Sequence, residues 1–228
     1  MPHHLDIQWA GETVRLLPER AMFLPTHDTL LVADLHLGKA ETYRSLGVPM
    51  PEGIAEESLD RLERAVRKTD PAAIVVLGDL VHCEEGMEDP VIELFEHWRR
   101  RVTVPMSLVG GNHDAGVSIP RSWRIENDGY ERRLGPFLLR HEPRPFDQPV
   151  DDDDPFVIAG HLHPVLSMGT GLRRVLAHAF VVEPRQAVLP AFTPFARGAR
   201  VRPRPDRRVF AIADDRMVEI HVTPPPAD

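Results

Sequence analysis

The sequence predicts a layered α/β fold. Between Thr29 and Val109, apolar strand segments alternate with amphipathic helical segments, the pattern of stacked strand and helix layers. After Asn112, short strands follow one another with few helices between them. With 228 residues the chain is long enough for one substantial core. It shows no internal repeat and no interdomain linker, so residues 1–228 are expected to form a single domain.

The elements follow in order. Leu5 to Trp9 and Thr13 to Leu17 read as an opening hairpin around Gly11. Thr29 to Ala33 is an apolar run ending in Asp34, the pattern of a buried strand. Pro51 to Lys68 reads as an amphipathic helix with Pro51 in its first turn and Ile54, Leu59, Leu62 and Val66 on one face. Ala73 to Leu77 is a second buried strand, stopped by Gly78, and Pro90 to Arg101 is helical. The strand Met106 to Val109 then meets Gly110-Gly111. Ser122 to Glu126, Glu131 to Leu134, Phe137 to Arg140, Phe156 to Ala159, Val175 to Val182 and Ala187 to Leu189 read as strands. Arg208 to Ala213 and Met217 to Val222 pair around Asp214-Asp215. Glu142 to Asp154 is a surface loop, and its run Asp151 to Asp154 is a solvated turn, because four adjacent carboxylates repel and cannot all converge.

Composition narrows the functional classes. The only cysteine is Cys83, so no internal disulfide forms and a reducing cytoplasm fits best. Met1 to Leu5 shows no apolar leader, and no run approaches the ~20 apolar residues of a membrane helix. The formal net charge of −8 argues against a basic coat for duplex DNA but leaves room for a local basic strip. Arginine far outnumbers lysine, which is confined to Lys39 and Lys68, so arginine count alone carries little information.

Five short motifs, each after a predicted strand, carry the chemistry. They are Asp34-Leu35-His36, Gly78-Asp79-Leu80-Val81-His82, Gly111-Asn112-His113-Asp114, His141, and Gly160-His161-Leu162-His163. Ligands of α/β sheets bind beyond the carboxyl ends of strands, so these residues aim at one crevice. Neighbouring glycines permit sharp turns and close backbone approach. Imidazole, carboxylate and amide oxygen together suit manganese, iron, zinc or similar ions. Asp34 and His36, two apart, point to one side of an extended segment and can chelate one ion. His161 and His163 can do the same or serve different ions. Each motif alone is weak; all of them in order after buried strands are far more specific.

Together these residues resemble the calcineurin-like metallophosphoesterase superfamily. A narrower likeness is to the DNA-ligase-associated metallophosphoesterases, a group of DNA damage response endonucleases. It rests on Val32 to Ala40, Leu139 to Pro143, Gly160 to Pro164, Leu189 to Phe192 with Phe195 and Gly198, Val201 to Pro205, and Arg208 to Ala211. The resemblance implies a four-layer sandwich, with a central β-sandwich flanked by helices. It implies two divalent metal ions, manganese first, with iron, zinc, nickel or magnesium as alternatives. Asp34, His36 and His163 would hold one ion; Asn112, His141 and His161 the other; Asp79 would bridge them. His113 would face the scissile phosphate, Asp114 would orient its ring, and His82 would sit behind the ligands. The implied activity is hydrolysis of phosphodiester bonds by metal-activated hydroxide, with DNA as substrate, a role in DNA repair, and DNA ligase among its partners.

Other residues carry weaker expectations. Lys39 can reach a substrate phosphate but reads more simply as an exposed loop lysine. Arg197, Arg200, Arg202, Arg204, Arg207 and Arg208 form either a phosphate-binding strip or an exposed proline-rich loop. Phe192 and Phe195 can stack on a base, although packing against the sheet is the simpler reading, and Cys83 is a buried or half-buried thiol. Two rival functions stand beside the nuclease. One is a phosphoesterase for nucleotides or cyclic nucleotides; the other is a binding protein on a decayed scaffold, disfavoured because every expected ligand position is filled.

Overall fold

In the computed structural model, residues 4–146, 148–169 and 175–221 are described. Two sheets stack face to face. The first has seven strands in sequential order: β1 (Leu5–Trp9), β2 (Glu12–Leu17), β3 (Ala21–Leu24), β4 (Thr29–Val32), β5 (Ala73–Leu77), β6 (Met106–Val109) and β7 (Ile125–Asn127). Strands β1 to β4 are antiparallel neighbours, whereas β4 to β7 run parallel. The parallel connections contain helices α1 (Lys39–Ser45), α2 (Ile54–Thr69) and α3 (Asp89–Arg101).

The second sheet contains β8 (Glu131–Leu134), β9 (Phe137–Arg140), β10 (Phe156–Ala159), β11 (Val165–Met168), β12 (Val175–Glu183), β13 (Gln186–Val188), β14 (Arg200–Val201), β15 (Arg208–Ala213) and β16 (Arg216–Ile220). Strand β10 lies between β9 and β13, parallel to both. The nine-residue β12 pairs with β11, β13 and β15 at different points along its length.

Strand periodicity builds the layers. Side chains alternate faces along a strand, so Leu31, Val75, Leu77 and Val109 face the second sheet and meet Phe137, Leu139, Ile158 and Phe180. Their neighbours Leu30, Val32, Ile74 and Val76 face outward, where Leu59 and Leu62 of α2 and Phe95 and Trp98 of α3 cover them. The strands are apolar on both faces because both faces are buried. Each fully buried aliphatic or aromatic side chain of this kind contributes ~1.5–3 kcal/mol.

The helices cover one sheet only among the described residues. The outer face of the second sheet is a smaller apolar cluster of Ala179, Val181, Val188, Val209 and Ala211, with Leu166 and Val201 from β11 and β14. Phe146, Leu162, Met168 and Ile220 pack against that cluster.

Other details depart from the expectations. Pro51 lies outside α2, which begins after Gly53, a residue with φ 78° that turns the chain into the helix. Ser122 belongs to a 3-10 turn (Arg121–Trp123), because Trp123 buries completely against Phe95, with ring centroids 4.1 Å apart. Strands β3, β11 and β14 and helix α1 were not anticipated. Asp147 of the expected surface loop and Val222 of the last expected strand lie outside the described residues. Among the described residues, no helix is long and apolar enough to cross a membrane.

Candidate metal centre

The five motifs leave the carboxyl ends of β4, β5, β6, β9 and β10. Strands β4, β5 and β6 are adjacent in the first sheet, and β9 and β10 in the second. Stacking the sheets brings all five turns to one edge of the sandwich.

The local backbone differs from the extended form expected of Asp-x-His. Asp34 (φ 59°), His36 (φ 48°), Asp79 (φ 53°), His161 (φ 67°) and His163 (φ 48°) all adopt the left-handed conformation. Asp and His tolerate it better than most residues, yet each such residue costs ~1–2 kcal/mol. Cross-links between the turns hold it. The amide of Asp34 donates to the Gly78 carbonyl (3.0 Å), that of His36 to the Asp79 carbonyl (2.8 Å), and that of Gly160 to the His141 carbonyl (3.0 Å). Gly111 and Gly160 serve close packing: a Cβ at 111 would lie 2.4 Å from Asp79 Oδ1, and one at 160 would lie 2.6 Å from Asp34 Oδ2.

The side chains converge as two groups sharing Asp79. Ligand-type atoms of Asp34, His36, Asp79 and His163 all lie within 4.8 Å of one another, as do those of Asp79, His141 and His161. His163 Nε2 is 3.2 Å from Asp34 Oδ1, and His36 Nε2 is 3.7 Å from Asp79 Oδ2. Asn112 Oδ1 joins the second group, 3.0 Å from His141 Nε2 and 3.1 Å from His161 Nδ1. All seven sequence-derived ligand candidates therefore meet at one place. Ring orientation is set from behind: His141 Nδ1 meets the Leu77 carbonyl at 2.9 Å, and His163 Nδ1 meets the Arg197 carbonyl at 3.2 Å.

This donor set fits a pair of cations. Asp34 and Asp79 are almost fully buried, at 0% and 2% exposure, and buried carboxylates demand compensating charge. The Nδ1 of His36 has no partner among the described residues, and its Nε2 lies only 3.5 Å from His163 Nε2. Donor atoms ~2.1 Å from one ion at right angles stand ~3 Å apart, the spacing seen among Asn112, His141 and His161.

Electrostatics separates the two groups. Burial, reinforced by the charge of Lys39, pushes His36 down to about 2, so its ring is neutral. Burial raises Asp79, but the hydrogen bond and charge of His141, with the His113 amide, bring it down to about 2. Burial likewise lowers His141, yet its hydrogen bond to Asp79 and the nearby charges carry it up to about 9.

His113 lies beside His36, with ring centroids 4.9 Å apart, and stacks on His82 at 4.7 Å. The expectation that Asp114 orients the His113 ring is overturned. His113 Nδ1 lies 2.7 Å from the His82 carbonyl, which takes the orienting hydrogen bond. The Asp114 carboxylate instead accepts the backbone N–H groups of Asp79 (2.8 Å), Gly111 (2.9 Å) and Val81 (3.1 Å). Partial burial holds it above the usual carboxylate range despite those bonds. It staples the turn carrying Asn112 and His113 to the turn carrying Asp79.

Three softer readings change. Lys39 is the first residue of α1, half-buried, and lines an open cleft of about 450 Å³ with His36, His113 and His163. Phe195 is 42% exposed in that cleft, while Phe192 packs fully in the core as expected. The arginine segment does not act as one strip. Arg207 pairs with Glu183 at 2.8 Å and covers Phe146, and Arg208 pairs with Glu219 at 2.7 Å. Arg197 reaches the cleft, and Arg200, Arg202 and Arg204 are exposed. Cys83 is half-buried, with Sγ 3.2 Å from Thr42 Oγ1.

Comparison with known proteins places the chain in a family. The calcineurin-like phosphoesterase family matches residues 28–189. The nuclease MPE of Pseudomonas putida, a crystal structure, superposes with a TM-score of 0.80 at 30% identity, covering 95% of this chain and 100% of that one. The phosphoesterase Yfce of E. coli covers 84% of this chain and 97% of its own at 14% identity and a TM-score of 0.44. No curated protein matches by sequence. The chain belongs to the calcineurin-like phosphoesterase family and is a metal-dependent phosphoesterase.

Proposed function

We propose that this protein is a manganese-dependent DNA phosphodiesterase, an endonuclease acting in DNA repair. Asp34, His36, Asp79 and His163 would hold one ion, and Asp79, Asn112, His141 and His161 would hold the other. The observation that carries this reading is the pair of donor groups sharing the buried Asp79. Bound there, two divalent ions supply Lewis acidity that activates a water and offsets phosphate charge.

The protein's own groups do the rest. His113, anchored through Nδ1 on the His82 carbonyl, presents Nε2 as the atom that carries a proton to the leaving oxygen. Asp114 keeps that ring in place by holding its turn. Lys39, half-buried in the cleft lining beside His36 and His113, binds a phosphate oxygen. Nucleic acid as substrate is supported by the similarity to a nuclease across nearly the whole chain. The repair setting and an association with DNA ligase rest on the resemblance, spread along the chain from Val32 to Ala211, to DNA-ligase-associated metallophosphoesterases, and the lone Cys83 supports a reducing cytoplasm. The shared interior of the two sheets supports a single catalytic domain over residues 1–228.

A panel of single-stranded DNA, duplex DNA, RNA and model mono- and diesters, assayed with manganese-loaded protein, tests the reading. Cleavage of nucleotides alone would favour the small-molecule alternative. The metal assignment is tested separately by Asp79→Ala, which is expected to lose both ions by elemental analysis. Two tightly bound ions retained in Asp79→Ala would refute the bridge.

A further inference from the structure

Aromatic side chains are normally buried, since each exposes a large apolar face. Here, among the described residues, three are exposed: Tyr43 (37%), Phe195 (42%) and Tyr130 (74%). All three border the metal centre. Tyr43 and Phe195 line the cleft beside His36 and His113, together with Lys39 and Arg197. Tyr130 lines a second open cleft of about 320 Å³ on the other flank, beside Asn112 and His141, together with Arg140.

Both clefts present an exposed aromatic ring; the first adds the cations Lys39 and Arg197, whereas in the second Arg140 lies 3.7 Å from the Glu131 carboxylate and Glu142 shares the lining. Tyr43 is steadied by stacking on His82, with centroids 6.1 Å apart. Tyr130 follows the turn at Gly129, whose carbonyl accepts the Gly110 amide at 2.7 Å, and its ring lies over Gly110. Rings that stack on bases and cations that meet phosphates are the recognition chemistry of a polynucleotide. A mononucleotide fills one cleft; a strand continuing past the reacting phosphate in both directions fills both.

We propose that Tyr130 forms a second base-stacking subsite beside Asn112 and His141, apart from the Tyr43–Phe195 cleft, so that the strand is gripped on both sides of the bond that is cut. Tyr130 stacks on the base next to the reacting phosphate on the Asn112 side. The proposal rests on the nucleic-acid reading above.

The test compares wild type, Tyr130→Ala and Tyr130→Phe on a short single-stranded oligonucleotide and on a nitrophenyl phosphodiester. The small diester reaches the metals without spanning either cleft. Loss of one base–aromatic stack is worth about tenfold, so Tyr130→Ala is expected to lower the ratio of kcat/KM on oligonucleotide to that on diester about tenfold. Tyr130→Phe keeps the ring and should restore the ratio. A binding readout is independent of turnover: 2-aminopurine flanking the bound phosphate should be quenched by wild type and by Tyr130→Phe, and less by Tyr130→Ala. An unchanged ratio in Tyr130→Ala, or equal losses in Ala and Phe, overturns the stacking subsite while the nuclease reading stands. Wild-type protein that cleaves the diester and no oligonucleotide overturns both.

Discussion

Gly111→Ala isolates the role of close backbone approach at the metal centre. The added Cβ would lie 2.4 Å from both the amide nitrogen and Oδ1 of Asp79, and 3.0 Å from Gly78 Cα. Relaxed contacts begin near ~3.5 Å, so Asp79 or its turn has to move by about 1 Å. Gly111 does not have positive φ, so the substitution carries no backbone penalty of that kind and reports packing alone. Overpacking of this size costs ~1–3 kcal/mol, or a Tm loss of roughly 2–4 °C for each kcal/mol at this chain length. The displaced carboxylate is the one shared by both donor groups, and a misplacement near 1 Å costs about 100-fold in rate. The assay is turnover of a nitrophenyl phosphodiester by manganese-loaded protein, with metal content and Tm measured alongside. Gly110→Ala is the internal control: its Cβ meets only the Tyr130 ring at 3.5 Å and the Gly129 carbonyl at 3.6 Å, ordinary contacts. Gly111→Ala with wild-type turnover and two bound ions would refute the reasoning.

Three further outcomes follow from the same geometry. His113→Ala should keep both ions but lose turnover, most severely on alkyl-type diesters with poor leaving groups; equal losses on nitrophenyl diesters would assign His113 to charge stabilisation. In chelated protein His141 titrates near 9 rather than at its ordinary 6.5, so its proton stabilises the fold below about pH 6.5 and that contribution fades as pH rises through 9. Metal must displace this proton, so affinity of the Asn112–His141–His161 group should rise about tenfold per pH unit from 6.5 towards 9; calorimetry in buffers of different ionisation enthalpy would show the released proton, and pH-independent affinity would contradict it. Arg207→Gln leaves Glu183 without its partner in a largely buried pair and should cost about 3 kcal/mol, read as a lower thermal midpoint, whereas a midpoint equal to wild type would return Arg207 to the surface strip.

The local pattern already carried much of this protein. Continuous apolar runs located β4, β5, β6 and β10 within about a residue, because two-faced burial leaves an unbroken hydrophobic signature in the chain, and alternating burial marked β9. The ligand candidates were legible for a related reason: they follow such strands, and Asp79, Asn112 and His161 sit beside Gly78, Gly111 and Gly160, where a Cβ would collide with His141, Asp79 and Asp34 respectively. Weak local signals hid the rest. Strand β14 is only two residues, and the seven-residue α1 buries only Ala40, so neither shows a repeated apolar pattern.

Long-range contacts decided what no spacing could show. Asp114 bonds to amides near Asp79, 35 and 33 residues away, and not to its sequence neighbour His113. Lys39 and Phe195, far apart in sequence, share a cleft because the segment after β13 is tied to the first motif, with the Thr193 amide donating to the Asp34 carbonyl at 3.1 Å. The arginine segment looked continuous in one dimension, yet Arg207 and Arg208 find acids on β12 and β16 while Arg197 faces the metal centre. Residue type and strand-end position determine which atoms are available to bind a cation. Only the stacking of two sheets, which brings turns from distant strands within hydrogen-bonding distance, determines which of those atoms meet.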